Sequence, residues 1–255
     1  MGREYHGSAV TDAPLTPSQR LRGYAAHCYT ASGVVFAFLS AVELMHPGRD
    51  TDPRRVFVWL IAAAVVDATD GPIARAWRVR LWARAVDGRK IDDLLDYLTF
   101  VFLPLMLVWR MAWLPEGLGW TVVLAMAASL LGFAHRLAKD EQAGFFRGFP
   151  SYWNIYAFYA GLFSTAWSPW VSGLTLWGLT LLAVSPIRMI YPNLAPRPWR
   201  VPVLLATAGW LVLLCAMLPT YPDAGAWLVS VSLGYPAAYV ALSGYLSRRP
   251  ILTSR

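Results

Sequence analysis

Residues 56 to 75 read VFVWLIAAAVVDATDGPIAR, and residues 88 to 110 read GRKIDDLLDYLTFVFLPLMLVWR. Each approaches the roughly 20 apolar residues that cross the hydrocarbon core of a bilayer. Each also carries carboxylates where its apolar run meets a cationic stretch. Ionisable groups inside a spanning segment are costly and mark a functional site by default. Six of the fifteen acids of the chain fall between positions 67 and 96. On a helix Asp67 and Asp70 stand at i, i+3 and share a face, and Asp92 and Asp96 do so at i, i+4. The two stretches therefore predict neighbouring membrane helices that each present a carboxylate pair at the same end.

The rest of the chain agrees with a bilayer as solvent. Of 255 residues 57% are hydrophobic and 15% charged, against about 25% charged in soluble domains. Thirteen Trp and twelve Tyr suit the headgroup level, where amphipathic rings gather. The net charge of +7 does not read as nucleic-acid binding, because the arginines lie between apolar segments instead of along one polar face. Eight stretches come close to spanning length: 22–46, 54–76, 91–113, 118–137, 150–168, 170–190, 199–219 and 225–246. Pro and Gly punctuate the gaps, as in Leu114-Pro115-Glu116-Gly117. The expected fold is an all-α integral membrane bundle of eight helices. The expected organisation is a cytoplasmic tail (1–21), a transmembrane domain (22–246) and a short cytoplasmic tail (247–255). No cleavable leader is expected, since the first twenty residues hold no apolar run. Cys28 and Cys215 sit in apolar runs and read as plain core residues.

With the N-terminus inside, 18 of the 22 Lys and Arg residues fall in inner segments, which predicts cytoplasmic termini. Arg49, Arg54, Arg55 and Arg110 are the exceptions. The arginine-rich 75 to 90 loop serves equally as a topology signal and as a contact for anionic lipid.

Four facing carboxylates repel unless they are protonated or neutralised, and an all-oxygen set suits hard ions such as Mg²⁺ or Mn²⁺. Two ions about 4 Å apart can hold a pyrophosphate and stabilise its attacking and leaving oxygens. Gly71, Ala74 and Gly88 add positions without bulk, and Arg75 adds a donor for phosphate. The bland alternative is a set of buried ion pairs with Arg75, Arg89 and Lys90, and the regular spacing speaks against it. Asp93, about 100° around the helix from Asp92, reads with Asp87 as an interfacial charge. His27 reads as a satisfied core group.

The order Asp67-x2-Asp70-Gly71-x2-Ala74-Arg75, twelve residues, Gly88-x3-Asp92-x3-Asp96 closely resembles the signature of the CDP-alcohol phosphotransferases. The spacer is longer than in most of that family and is similar to the variant in bacterial phosphatidylcholine synthases. The eight-helix length and Gly148-Phe149-Pro150-Ser151-Tyr152-Trp153-Asn154 share that likeness. In the first helix His27-Cys28-Tyr29-Thr30 replaces the family's Pro-Asn pair and Thr, so only Thr30 carries over.

The resemblance implies transfer of the phosphatidyl group of CDP-diacylglycerol to choline with release of CMP, at a bacterial cytoplasmic membrane. It implies six helices around a cytoplasm-facing polar cavity and a homodimer. It further implies two Mn²⁺ or Mg²⁺ ions on Asp67, Asp70, Asp92 and Asp96, with Asp96 as general base. Asp67, Gly71, Ala74, Arg75, Gly88 and Thr30 become nucleotide contacts. Choline is a quaternary ammonium, which aromatic faces hold well, and Tyr97, Tyr152, Trp153 and Tyr156 are the candidate cage. Arg136 and Arg188 are candidate partners of the lipid phosphate. Rival readings are another acceptor (serine, glycerol phosphate or inositol phosphate), CDP-choline with diacylglycerol as substrates, or an ion-coupled transporter.

Overall fold

The computed structural model describes residues 15–46, 50–83, 85–135, 139–140 (backbone alone) and 143–248. Helix α1 (Pro17–Ala31) starts at a capping box in which Thr16 accepts from the Gln19 amide and Gln19 reaches back to the Thr16 amide. The expected N-terminal tail thus becomes helical at Pro17, before its expected end at residue 21. After a break at Ser32, whose hydroxyl donates to the Tyr29 carbonyl, α2 runs over Gly33–Met45.

Asp52 caps α3 (Pro53–Ala76), and Arg78, in the left-handed region at φ 47°, turns the chain into the short α4 (Val79–Trp82). Helix α5 (Gly88–Asp96) passes into a π-helical segment (Tyr97–Phe102) and then α6 (Leu103–Arg110) without leaving the helical column. Beyond it lie α7 (Val122–Ala134), α8 (Trp153–Ala166), α9 (Pro169–Ala183), α10 (Arg200–Met217), α11 (Ala226–Ser232) and α12 (Gly234–Ser247).

Among the described residues four helical stretches are long and apolar enough to cross a membrane: Pro17–Met45, Pro53–Ala76, Arg200–Thr220 and Ala226–Ser247. Gly119–Ala134 and Pro169–Ala183 are shorter apolar helices. The expected segment 170–190 stops as helix at Ala183. Pro186 disfavours the helical conformation at Ser185, and strand follows.

That strand belongs to a small sheet set in a mostly helical fold. Strands β1 (Lys139–Asp140), β2 (Phe145–Arg147) and β3 (Arg188–Ile190) form an antiparallel sheet in the order β1-β2-β3. Glycines at φ 76° (Gly144) and 78° (Gly148) flank β2. A Cβ at either would strike backbone carbonyls, of Leu194 and Ala183 respectively, so the turns admit glycine alone.

Helix α8 is the axis of the core. Trp153 and every residue from Tyr156 to Phe163 are buried, the signature of a helix apolar on all sides. Tyr221 donates its hydroxyl to the Phe158 carbonyl, and its ring packs edge-on against Phe57. Arg54 reaches the Pro219 carbonyl at 3.5 Å and Thr165 the Pro222 carbonyl at 2.9 Å. The start of α3, the end of α8 and the 219–222 turn therefore share one end of the bundle, and the aspartates of α3 lie toward the other. Cys28 and Cys215 are exposed, contrary to the expectation of core positions. Apolar neighbours do not imply burial when the solvent of a helix face is itself apolar.

Candidate active site

Helices α3 and α5 bring their carboxylates together. One oxygen from each of Asp67, Asp70 and Asp92 lies within 4.8 Å of the others. Asp96 lines the same crevice with Thr30, Gly33, Leu95 and Thr99. Asp70 is buried, at 9% exposure, and the other three are half-buried. The crevice holds about 10 Å³, on the order of one water, so its closed form fits ions and not a nucleotide.

Local sequence sets this geometry. Pro72 inside α3 has no N–H, which frees the Ala68 carbonyl of its usual helical donor beside Asp67. The π-helical segment begins directly after Asp96, and such irregularities recur at functional sites. Thr99 is buried within it and donates to the Leu95 carbonyl at 2.8 Å. Neither the π geometry nor the break at Ser32 was foreseen; Pro104, which leaves the Phe100 carbonyl without its usual helical donor, and the Ser32-Gly33 pair were the available signals.

The other motif positions surround the carboxylates. The Arg75 guanidinium folds back one turn, its Nη1 3.3 Å from where a Cβ on Gly71 would stand. Gly88 faces His27, whose ring would be 2.8 Å from an added Cβ, and Gly23 similarly admits Ala83. These small residues let α1 lie close over α4 and the start of α5, while the Tyr29 and Thr69 hydroxyls, 2.6 Å apart, tie α1 to α3. Among the described residues the His27 Nε2 is buried with no hydrogen-bond partner, so it is not the satisfied group expected. Asp87 is exposed and faces Lys90 at 4.0 Å, as an interfacial charge does, whereas Asp93 is half-buried.

Of the four candidate cage rings, Trp153 and Tyr156 lie edge to face at 5.6 Å, and Tyr152 and Tyr156 line one cavity. Trp153 is wholly buried, and its indole donates to Ser129 at 2.7 Å. Tyr97 donates to the Met126 carbonyl and Tyr156 to that of Ser172. Tyr152 lies edge-on to Phe100, 6.1 Å between centroids. Arg188 is exposed on β3, and its cross-strand partner is Arg147. Like charges set opposite each other are unfavourable without an anion, and Arg147 was not foreseen. Arg136 lies outside the described residues.

No protein-family model matches the chain. It is similar to the phosphatidylcholine synthase of Pseudomonas aeruginosa, 32% identical over 179 residues that cover 70% of this chain and 72% of that protein. The protein of the same name from Mesorhizobium japonicum is 31% identical, with 84% and 81% covered. That from Legionella pneumophila is 29% identical, with 95% of each chain covered. The chain belongs to the phosphatidylcholine synthase family. It is accordingly a membrane-associated enzyme of the phosphatidyltransferase class.

Proposed function

We propose that this enzyme transfers the phosphatidyl group of CDP-diacylglycerol to choline and releases CMP, with the α3 and α5 aspartates as its centre. The observation that carries the reading is the convergence of Asp67, Asp70 and Asp92 within 4.8 Å, with Asp96 in the same crevice. The donor set fits a hard divalent ion, since oxygens on opposite sides of Mg²⁺ stand about 4 Å apart. Mn²⁺ or Mg²⁺, two ions on these four aspartates, would supply neutralising charge to the pyrophosphate.

The residues of the chain do the rest. Thr30, Asp67, Gly71, Ala74 and Gly88 make room for and hold the nucleotide, and the Arg75 guanidinium unfolds from Gly71 onto phosphate. Asp96 takes the proton of the choline hydroxyl as general base. The resulting oxygen attacks the phosphorus on the diacylglycerol side, the bond from that phosphorus to the CMP oxygen breaks, and CMP departs. Tyr152 offers a π face to the choline ammonium, while Tyr97, Trp153 and Tyr156 hold the wall behind it. Arg188, joined by Arg147, meets the lipid phosphate before it reaches the metals.

Eight spans, with the first six around a cytoplasm-facing cavity and both termini inside, complete the reading. Residues 22–246 form the transmembrane unit, and a homodimer is the expected assembly. The test assays purified enzyme with CDP-diacylglycerol, Mn²⁺ and a panel of alcohols. Choline is expected to give phosphatidylcholine and stoichiometric CMP, with activity lost in chelator. Preference for serine or a phosphorylated alcohol, or full turnover in excess chelator, would overturn the reading.

A further inference from the structure

A second cavity, of about 250 Å³, lies between α8, α9, α10 and α12, with Tyr152 at one end. We propose that it is an acyl-chain pocket, which shelters one fatty-acyl chain of the diacylglycerol lipid while its phosphate occupies the aspartate site. The proposal rests on the phosphatidyltransferase reading above.

The chemistry of the walls selects hydrocarbon. Phe163, Leu179, Leu182, Met189, Leu233 and Val240 supply apolar surface. Four of the tyrosine hydroxyls that line it are engaged: Tyr156 with the Ser172 carbonyl, Tyr159 with Ser232, Tyr235 with Thr207 and Tyr239 with the Ile190 carbonyl. Away from Tyr152, a polar ligand finds neither charge nor open donor there. A choline-type cation fits no better, because the aromatic faces are turned on one another. Tyr159 stacks with Trp210 (6.4 Å), Trp210 with Tyr235 (4.8 Å) and Tyr235 with Tyr239 (6.2 Å).

Position and size complete the case. Tyr152 lines this cavity and stands edge-on to Phe100, whose helical column from Gly88 to Arg110 carries Asp92 and Asp96, so this end of the cavity is the one nearest the carboxylates. From Tyr152 to Phe163 the wall follows α8 for about 16 Å at 1.5 Å per residue. By the measure that gives the carboxylate crevice room for about one water, this cavity of about 250 Å³ holds on the order of twenty, enough for a stretch of acyl chain. Val240, 52% exposed, stands at the rim on the outer face of α12 and marks a lateral entrance from the bilayer. The helices beyond the first six thus gain a role: they close a slot for the substrate's tail. Because lipid tails are as apolar as the pocket, selection there depends on fit and not on hydrophobic transfer.

The test uses the full chain in lipid nanodiscs with CDP-diacylglycerols of graded chain length, comparing the unmutated enzyme with Leu179→Trp and Val240→Trp. The second variant changes an exposed site, which protects the test from a folding failure of the first. Expected is a fall of about three- to tenfold in the kcat/KM ratio of long to short chains, with the KM for choline unchanged. In parallel, a phosphatidylcholine carrying a diazirine in its acyl chain is expected to label walls on α8, α10 or α12, and Leu179→Trp to suppress that labelling. An unchanged chain-length ratio in folded variants, or labelling elsewhere, would overturn the pocket. So would a raised choline KM, which would mean a cation site, or loss of dimer in Leu179→Trp, which would mean a packing surface. If the unmutated enzyme makes no phosphatidylcholine, the transferase reading fails, while the labelling still decides the pocket.

Discussion

Asp70→Asn separates a metal centre from a structural ion-pair cluster, because the two arrangements give opposite signs for stability. Asp70 is buried and within 4.8 Å of carboxylate oxygens on both Asp67 and Asp92. At that distance and an effective dielectric of about 20, each like-charge pair costs up to about 3 kcal/mol. Asp67 and Asp92 are half-buried and partly screened, so about 1 to 3 kcal/mol is a fair total for what the amide relieves. In excess chelator the variant is therefore expected to be more stable than the unmutated enzyme, by roughly 2 to 12 °C at about 2 to 4 °C per kcal/mol for a chain of this size. With Mn²⁺ the order reverses, since stabilisation by a ligand follows its affinity for the folded state. Removing one partner of a buried charged set costs about 3 to 5 kcal/mol, so transfer is expected to fall at least on the order of a hundredfold. The assay follows CMP release and product lipid beside tryptophan-fluorescence melting in detergent, with and without metal. A variant less stable than the unmutated protein in chelator would show that Asp70 pairs with a cation of the chain, and the metal reading would fail.

The remaining expectations use the same protein. Asp96→Asn should lower kcat by about 10² to 10⁴ yet retain most of the Mn²⁺-induced rise in melting temperature, and loss of that rise would make Asp96 a ligand only. Gly88→Ala presses its Cβ on the His27 ring at 2.8 Å and should cost about 1 to 3 kcal/mol. Adding His27→Ala should restore stability, and a failure of rescue would place the strain elsewhere. Gly161→Ala strikes the Tyr221 hydroxyl and Trp113, whereas Gly178 has open space; the first should destabilise by about 1 to 3 kcal/mol, and Gly178→Ala should be neutral or better. Arg54, mainly through its side-chain hydrogen bond, holds the Asp52 carboxyl below its ordinary pKa of 3.8. That contribution is present above the ordinary value and fades as pH falls through the lowered one, so Asp52→Asn should flatten the acid limb of a stability profile.

The carboxylate centre was legible because its chemistry depends on residue identity at helical spacing. Asp67, Asp70 and Asp92 converge as i, i+3 and i, i+4 patterns on two apolar segments predict. The helical column from Gly88 to Arg110 was legible too, although not its π turns. What stayed hidden depends on partners distant in sequence. Trp153 and Tyr156 donate to Ser129 and to the Ser172 carbonyl, contacts that no local pattern encodes. Cys28 and Cys215 misled for a related reason: an apolar run does not tell a core face from a lipid face.

The π segment explains why one column can serve both site and core. A regular helix would carry the face of Asp92 and Asp96 on with a fixed rotation per residue. The wider turns from Tyr97 to Phe102 reset that rotation, and the column then buries Leu103, Pro104, Leu105, Leu107 and Val108 in the bundle. Polar and apolar faces are thereby set independently above and below the irregularity. The carboxylates can be placed for their ligands while the packing that fixes them against α8 is left at full density. An insertion or deletion within Tyr97–Phe102 would alter that offset and turn either the aspartates or the leucines out of place.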